Sequence, residues 1–287
     1  MTIAQLLRRI QRELHRSSPP SREAELLLSR RLGLPRHLLY LEAGREVPSD
    51  VVTALESDLR RRRAGEPLQL ILGSVGFRGL ELNVRPGVFI PRPETEVLVE
   101  YAVALAADVP GVILDLCCGA GAVACALAAE LPTRRVVAVD ASPAACVLTR
   151  DNARCLGLSE RIGVVRGDLT EALGGPFALL ACNPPYIASD DLDALPVEVR
   201  DHDPSAALDG GPDGLDFYRR LAPELTRLLV PGGWTVLEIG EEQGEAVGDI
   251  FAKTPGLERT AIQPDLTGRD RVAVARRIST QQPSNGE

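Results

Sequence analysis

The stretch Val112–Ala128, VILDLCCGAGAVACALA, holds three elements in succession. An apolar run closes on Asp115-Leu116, a loop carries Gly119 and Gly121, and a small-residue segment of helical character follows. Strand, glycine loop, helix is the opening of a parallel α/β unit. The backbone amides at such a helix start are free to receive a ligand, and the two glycines permit its close approach. Asp140 ends the next apolar run, where an acid accepts hydrogen bonds from ribose hydroxyls.

Working outward, apolar runs at Val136–Val139, Ile162–Val165, Phe177–Cys182, Trp234–Ile239 and Val272–Ala275 alternate with helical segments such as Ser142–Leu156 and Asp216–Leu229. That alternation predicts an α/β fold: a Rossmann-like, doubly wound, mostly parallel sheet over residues 93–279. Residues 1–75 are helical instead, with Ile3, Leu6, Leu7, Ile10 and Leu14 on one face of the first helix. Ser21 and Ser49 are the expected caps of two further helices, and Arg60–Arg63 suit the negative end of the second. Between the two regions, residues 76–92 carry short alternating runs broken by Gly and Pro, the pattern of a linking hairpin. Residues 280–287 have the composition of a disordered tail.

Composition narrows the function. With 287 residues, 45% of them hydrophobic, the chain has material for two cores, which excludes disorder throughout. The formal charge of −8 is unevenly spread: residues 1–75 carry 13 arginines against nine acids, and the remainder is strongly acidic. A protein that grips nucleic acid through phosphate neutralisation has the opposite balance, so no direct nucleic-acid partner is expected. The longest charge-free stretch, between Asp115 and Glu130, is too short for a bilayer, which needs about 20 residues. With a charged N-terminus as well, a cytoplasmic protein without membrane contact is expected. Six cysteines without a C-x-x-C pair, and histidines confined to His15, His37 and His202, give no metal-ligand pattern, so no metal is expected.

The glycine loop alone also fits the G-x-G-x-x-A pattern of nicotinamide enzymes through Gly119, Gly121 and Ala124. Two acids tilt the balance. Asp115, just before the loop, would repel a pyrophosphate but attract an ammonium, and Asp168 supplies a further polar contact at the same sheet edge. An acid-lined site suits S-adenosylmethionine, a sulfonium that also carries an amino group. Asn183-Pro184-Pro185-Tyr186 then follows the strand FALLAC. The paired prolines stiffen the chain and lack amide hydrogens. The Asn183 side-chain oxygen and the Pro184 carbonyl thus become neighbouring acceptors for the two hydrogens of a planar NH2 group, with Tyr186 packed on its face.

The chain resembles the HemK-type methyltransferases, which modify the glutamine side-chain amide in the Gly-Gly-Gln motif of peptide chain release factors. The resemblance rests on AELLLSRRLGL, GEPLQLILG, GFRGLELNVRPGVFIPRPETEVLVE, NPPYI, DPSAALDGGPDGLDFYRRL, LEIGEEQG and DLTGRDRV. It implies a class I methyltransferase that uses S-adenosylmethionine and releases S-adenosylhomocysteine. It also implies a donor site of Asp115, Cys117, Cys118, Gly119, Ala120, Gly121, Asp140, Asp168, Leu169 and Asn183, and a glutamine site of Asn183, Pro184, Pro185 and Tyr186. Asn183, Pro184 and Tyr186 would carry the catalysis, and the helical region would help grip a release factor. Three departures stand out. Cys117 replaces a glycine of the family's D-L-G-T-G-S-G loop and removes freedom for positive φ, and Ala120 lacks a hydroxyl. Leu70 and Asp203 replace the usual tyrosine and glutamate. The competing readings are a methyltransferase acting on an exocyclic amino group of a nucleic-acid base, a non-catalytic translation-associated binding protein and a nicotinamide oxidoreductase. The last explains neither NPPY nor IPRPETE.

Overall fold

The computed structural model describes residues 1–14, 20–258 and 261–279. The expected tail at 280–287 and His15 therefore lie outside the described residues. Contacts divide the chain into two compact units, one of Met1–Ser74 with Val197–His202 and one of Val75–Pro196 with Asp203–Glu287.

The first unit holds α1 (Ile3–Glu13), α2 (Pro20–Leu32), α3 (Arg36–Leu41), α4 (Ser49–Arg63) and α5 (Leu68–Leu72). The face of α1 read from the sequence is buried throughout, against Leu27, Leu28, Leu39, Leu55 and Leu59. Thr2 caps α1 in a capping box with Gln5. The expected serine caps are not seen. Ser21 lies inside α2, and Ser49 is the first helical residue of α4 behind Pro48, because a proline there presets the entry to the helix. The arginine run is largely spent on neighbouring acids: Arg61 pairs with Glu66, Arg63 with Glu13, and the buried Arg62 with Glu23 and Glu198. Glu198 belongs to Val197–His202, which joins this unit although it lies within the stretch assigned to the α/β region.

In the second unit β1 (Ser74–Phe77) and β2 (Leu80–Asn83) form a two-stranded sheet turned by Arg78 and Gly79, both at positive φ. The rest of the order is α6 (Thr95–Ala106), β3 (Ile113–Leu116), α7 (Ala122–Glu130), β4 (Val136–Asp140), α8 (Pro143–Cys155), β5 (Ile162–Arg166) and β6 (Phe177–Cys182). Then follow α9 (Val197–Arg200), which belongs to the first unit, α10 (Asp216–Leu221), α11 (Leu225–Leu228), β7 (Leu229–Glu238), α12 (Gly244–Ala252), β8 (Ala261–Pro264) and β9 (Asp270–Arg276). The main sheet runs β5-β4-β3-β6-β7-β9-β8, parallel except at β9, which is antiparallel to both neighbours. This is the doubly wound sheet read from the sequence. Two segments differ from that reading. The helix expected over Asp216–Leu229 breaks into α10 and α11, because Pro223 has no amide to continue it, and Leu229 already starts β7. The helix α12 and the strand β8 were not anticipated.

Period-two alternation sends consecutive strand residues to opposite faces. Ile113, Leu179, Ala181 and Val236 pack with α6 and α7, whereas Leu114, Leu116, Leu180, Cys182 and Leu237 pack with α10, α11 and α12. Asp115 has the parity of Ile113, and Glu238 that of Val236, so both acids face the α6–α7 side. The seven residues Ala122–Ala128 of α7 are all buried, as a helix apolar on every side must be. Asn152 of α8 ties this side together. It accepts from the Asn83 amide at 2.8 Å and donates to the carbonyls of Asn83 and Ala120 at 3.0 and 2.8 Å. No helix among the described residues is long and apolar enough to cross a membrane.

Asp58 is 2% exposed and receives two hydrogen bonds of 2.6 Å from Arg31. Replacing Asp58 by Asn should cost about 1–3 kcal/mol, because the Arg31 guanidinium keeps only a weaker partner. Urea unfolding of the full chain would show this as a lowered midpoint, and an unchanged midpoint would mean that the pair contributes nothing.

Candidate active site

The carboxyl ends of four adjacent strands, β4, β3, β6 and β7, form the floor of the site. Leu116 is in register with Val139 and with Cys182, and Cys182 with Leu237. The residues one step further along are Cys117, Asp140, Asn183 and Glu238. A crevice beyond the carboxyl edge, where the strand order reverses about β3, is where open parallel sheets take ligands.

The glycine loop owes its shape to the backbone. Cys117, Gly119 and Gly121 have φ of 57°, 54° and 81°. Asp140 accepts from the amide of Gly119 at 2.8 Å and, through its other oxygen, from that of Ser142 at 2.8 Å. Asp115 accepts from the Ala124 amide at 2.9 Å, so a strand carboxylate satisfies one of the open amides in the first turn of α7. The amides of Cys118 and Gly121 bond to Val139 and Cys118 carbonyls. The expectation of freely available loop amides is thus corrected at Cys118, Gly119, Gly121 and Ala124, which spend theirs on bracing the turn. A Cβ on Gly121 would meet Thr149 Cγ2 at 2.8 Å, whereas one on Gly119 would point into open space. Gly119 is therefore the open cradle of the loop.

Burial raises the pKa of both carboxylates. Asp115 is 1% exposed and pushed well above the ordinary range, with the amide of Ala124 opposing and Asp140 adding to the rise. Asp140 is raised by burial against the pull of the Gly119 and Ser142 amides. Two poorly compensated acids side by side favour a cationic ligand and disfavour a pyrophosphate.

Other expected donor residues fall differently. Cys118 and Ala120 are buried: the Cys118 thiol lies 3.5 Å from Thr149 Oγ1, and Ala120 packs on Val88, Ala145 and Leu148. Their side chains shape the loop from below. Cys117 is half-buried and takes a left-handed conformation despite its Cβ, so the expected loss of positive φ does not occur. Such a residue costs roughly 1–2 kcal/mol. Asp168 is exposed and paired with Arg220 at 2.6 Å, whereas Leu169 is buried at φ 47°. Among the cysteines, Cys118, Cys125, Cys146 and Cys182 are buried and Cys155 is exposed.

Around NPPY the structure adds residues to which the sequence reading gave no role. Asn183 Nδ2 donates to Thr95 Oγ1 at 3.0 Å, and the Tyr186 hydroxyl donates to Glu238 Oε1 at 3.3 Å. Gln243 donates to the Tyr186 carbonyl at 2.8 Å and accepts from the Gly240 amide at 2.9 Å. A Cβ on Gly210 would meet Tyr186 Cα at 2.8 Å, so the DGGPDG turn lies directly on the motif. Asp203 accepts from the Ile90 amide at 3.1 Å and pairs with Arg92, which fixes the IPRPETE segment. Each of these residues lies in a stretch quoted above for resemblance, and that membership was the available signal.

A family model described as the PrmC N-terminal domain matches residues 5–73, and one described as a methyltransferase small domain matches residues 80–197. The chain is 44% identical over 255 residues to a release factor glutamine methyltransferase of Geobacter sulfurreducens, with 88% of each chain covered. It is 46% identical over 223 residues to that of Streptomyces coelicolor, covering 76% of this chain and 78% of the other. The chain belongs to the release factor glutamine methyltransferase family. Among solved structures, the hMettl16 catalytic domain superposes with a TM-score of 0.57 at 16% identity, covering 82% of this chain and 83% of that one. A methyltransferase from Pyrococcus furiosus gives 0.51 at 17% identity, covering 70% and 90%. Both show the fold.

The two loop glycines should behave differently. Gly119→Ala should cost only the conformational penalty of about 1–2 kcal/mol, while Gly121→Ala should cost clearly more, because its Cβ also strikes Thr149. Thermal or urea unfolding of both variants checks this, and equal losses would contradict the packing at Gly121.

Proposed function

We propose that this chain transfers a methyl group from S-adenosylmethionine to the side-chain amide nitrogen of the glutamine in the Gly-Gly-Gln motif of peptide chain release factors, in the cytoplasm. The observation that carries the reading is the orientation of Asn183. Its Nδ2 is committed to Thr95, so its Oδ1 is the atom left for a substrate NH2 group. The names of the relatives support the choice of release factors.

The residues present fit the donor. Gly119 leaves space for close approach, and each Asp140 oxygen, accepting one backbone amide, has a further lone pair for a ribose hydroxyl. Asp115 and Asp140 make a cation welcome. When bound, S-adenosylmethionine supplies a methyl carbon on a sulfonium and is released as the neutral thioether S-adenosylhomocysteine.

The protein's work lies in aiming the amide. An amide nitrogen is a poor nucleophile because its lone pair is delocalised into the carbonyl. Asn183 Oδ1 and the Pro184 carbonyl, accepting both of its hydrogens, return electron density to nitrogen and hold it in line with the methyl carbon. Tyr186 packs on the flat face of the amide. As the new N–C bond forms the S–C bond breaks with its electron pair left on sulfur, and the nitrogen releases one of its hydrogens as a proton to bulk solvent, so no stable ammonium results. No strongly basic side chain is required.

Incubation with a radiolabelled donor and a release factor, beside the same factor with its Gly-Gly-Gln glutamine replaced, tests the proposal. Label should appear on the first alone, and label on both or on neither would refute it. In the same assay Asn183→Ala should abolish transfer while donor affinity stays within roughly tenfold, about 1.4 kcal/mol. Calorimetric titration of the variant with S-adenosylmethionine checks the second half.

A further inference from the structure

A carboxamide presents an oxygen on one side and an NH2 on the other, and only one orientation serves the substrate. If Asn183 were turned over, it would offer two donors to a group that also has only donors to give. The motif itself does nothing to prevent this, since prolines follow Asn183 and lack amides that could bind its oxygen. The restraint comes from behind, at Thr95 Oγ1, which accepts from Asn183 Nδ2 at 3.0 Å.

A threonine hydroxyl has one hydrogen and can donate or accept. It discriminates between the two faces of Asn183 only if its hydrogen is committed elsewhere. Glu238 supplies that commitment. It is 2% exposed, faces the α6 side of the sheet where Thr95 begins the helix, and stands beside Asn183 at the strand ends. Its Oε1 already accepts from the Tyr186 hydroxyl, whereas its Oε2 is buried without a partner in hydrogen-bonding geometry. An ionised carboxylate has acceptor sites only, so that oxygen holds capacity for the Thr95 hydrogen.

We propose that Glu238 and Thr95 form a positioning pair that keeps Asn183 the right way round: Glu238 draws the Thr95 hydrogen, Thr95 Oγ1 accepts from Asn183 Nδ2, and Asn183 Oδ1 faces the substrate amide. The pair rests on the methyl-transfer reading given above. Through the Tyr186 hydroxyl the same carboxylate also steadies the far end of the motif, so one buried charge keys both ends of NPPY.

The pair has a protonation dependence. Burial raises Glu238 to about 7, opposed by the nearby Thr95 hydroxyl, by Arg271 and by Tyr186, with Glu94 adding to the rise. The Tyr218 phenol, a further titratable neighbour, donates at 2.8 Å to the Glu238 backbone carbonyl. Once protonated, Glu238 carries a hydrogen of its own and can give it to Thr95. The Thr95 hydrogen then turns toward Asn183 and selects the wrong face. Ionised Glu238 is the working form, so the rate constant for transfer should fall as pH drops through about 7.

The experiment compares wild type with Thr95→Ser, Thr95→Val and Glu238→Gln. Three quantities are read: kcat across the neutral pH range, donor affinity by calorimetry, and the side-chain NH2 signals of Asn183 in nitrogen–proton spectra of the free protein. Thr95→Ser keeps the hydroxyl and should stay within about threefold of wild type. Thr95→Val and Glu238→Gln should each lose about tenfold or more in kcat with donor affinity nearly unchanged. The wild-type Asn183 signals should shift with a midpoint near 7, and Glu238→Gln should abolish that shift. Persistence of the midpoint in Glu238→Gln, wild-type kcat in that variant, or equal damage by Ser and Val at position 95 would each overturn the pair. If Glu238→Gln does not fold, the Ser and Val comparison decides alone. The two readings fail differently: a wild-type protein without transfer overturns the methyl-transfer proposal, while an active one indifferent to these substitutions overturns only the pair.

Discussion

The hydrogen bond from the Ala124 amide to Asp115 joins the end of the central strand to the first turn of α7, and the geometry of the site follows from it. A helix start leaves amides without intrahelical partners, and α7 is buried on all sides, so water cannot satisfy them. Asp115 meets one such amide from the strand. The chain between the end of β3 and the start of α7 must then turn within five residues, three of which, Cys117, Gly119 and Gly121, take positive φ. The same arrangement places a carboxylate where solvent is scarce. Its charge is costly until a positive ligand arrives, and a donor that becomes neutral on reaction would lose that attraction afterwards.

The two halves of the site are built by opposite means. At the glycine loop, space is created by removing side chains, and acids one strand apart supply the electrostatics. At NPPY the backbone is stiffened by prolines and pressed from behind by other parts of the chain. Gln243 holds the Tyr186 carbonyl, the Gly210 turn lies against Tyr186, and Thr95 and Glu238 engage Asn183 and Tyr186. A rigid acceptor pair is what an amide methyl transfer needs, because the reaction gains little from proton transfer and much from alignment.

Hydrophobic periodicity made the sheet legible in the sequence: runs such as Phe177–Cys182 are buried on both faces and bounded by turn residues. Less legible was anything decided by a partner distant in the chain. Val197–His202 joins the helical unit, where Glu198 pairs with Arg62, and Asp203 holds the IPRPETE segment through Ile90 and Arg92. The same limit applied to the site. NPPY and the glycines carry their chemistry in consecutive residues, so their roles could be reasoned out. Thr95 and Glu238 act only across the fold, from different elements, and nothing in their local sequence distinguishes a buried glutamate from a solvated one. Conversely, Cys118 and Ala120 look like ligand residues by position, yet strand and loop parity turn them inward.

Parity also explains why the loop can depart from its family's usual residues. Its shape is set by backbone bonds to Asp140, Asp115 and Val139, none of which depends on the side chains at 117 or 120. Ala120 sits in a pocket of Val88, Ala145 and Leu148, where a methyl group fills apolar space. Cys117 retains the left-handed turn at a local cost of roughly 1–2 kcal/mol, small beside the stability of a domain of this size. Gly121 has no such latitude, because Thr149 occupies the space its side chain would need. The loop is therefore strict where the helix packs against it and permissive where the backbone alone defines its course.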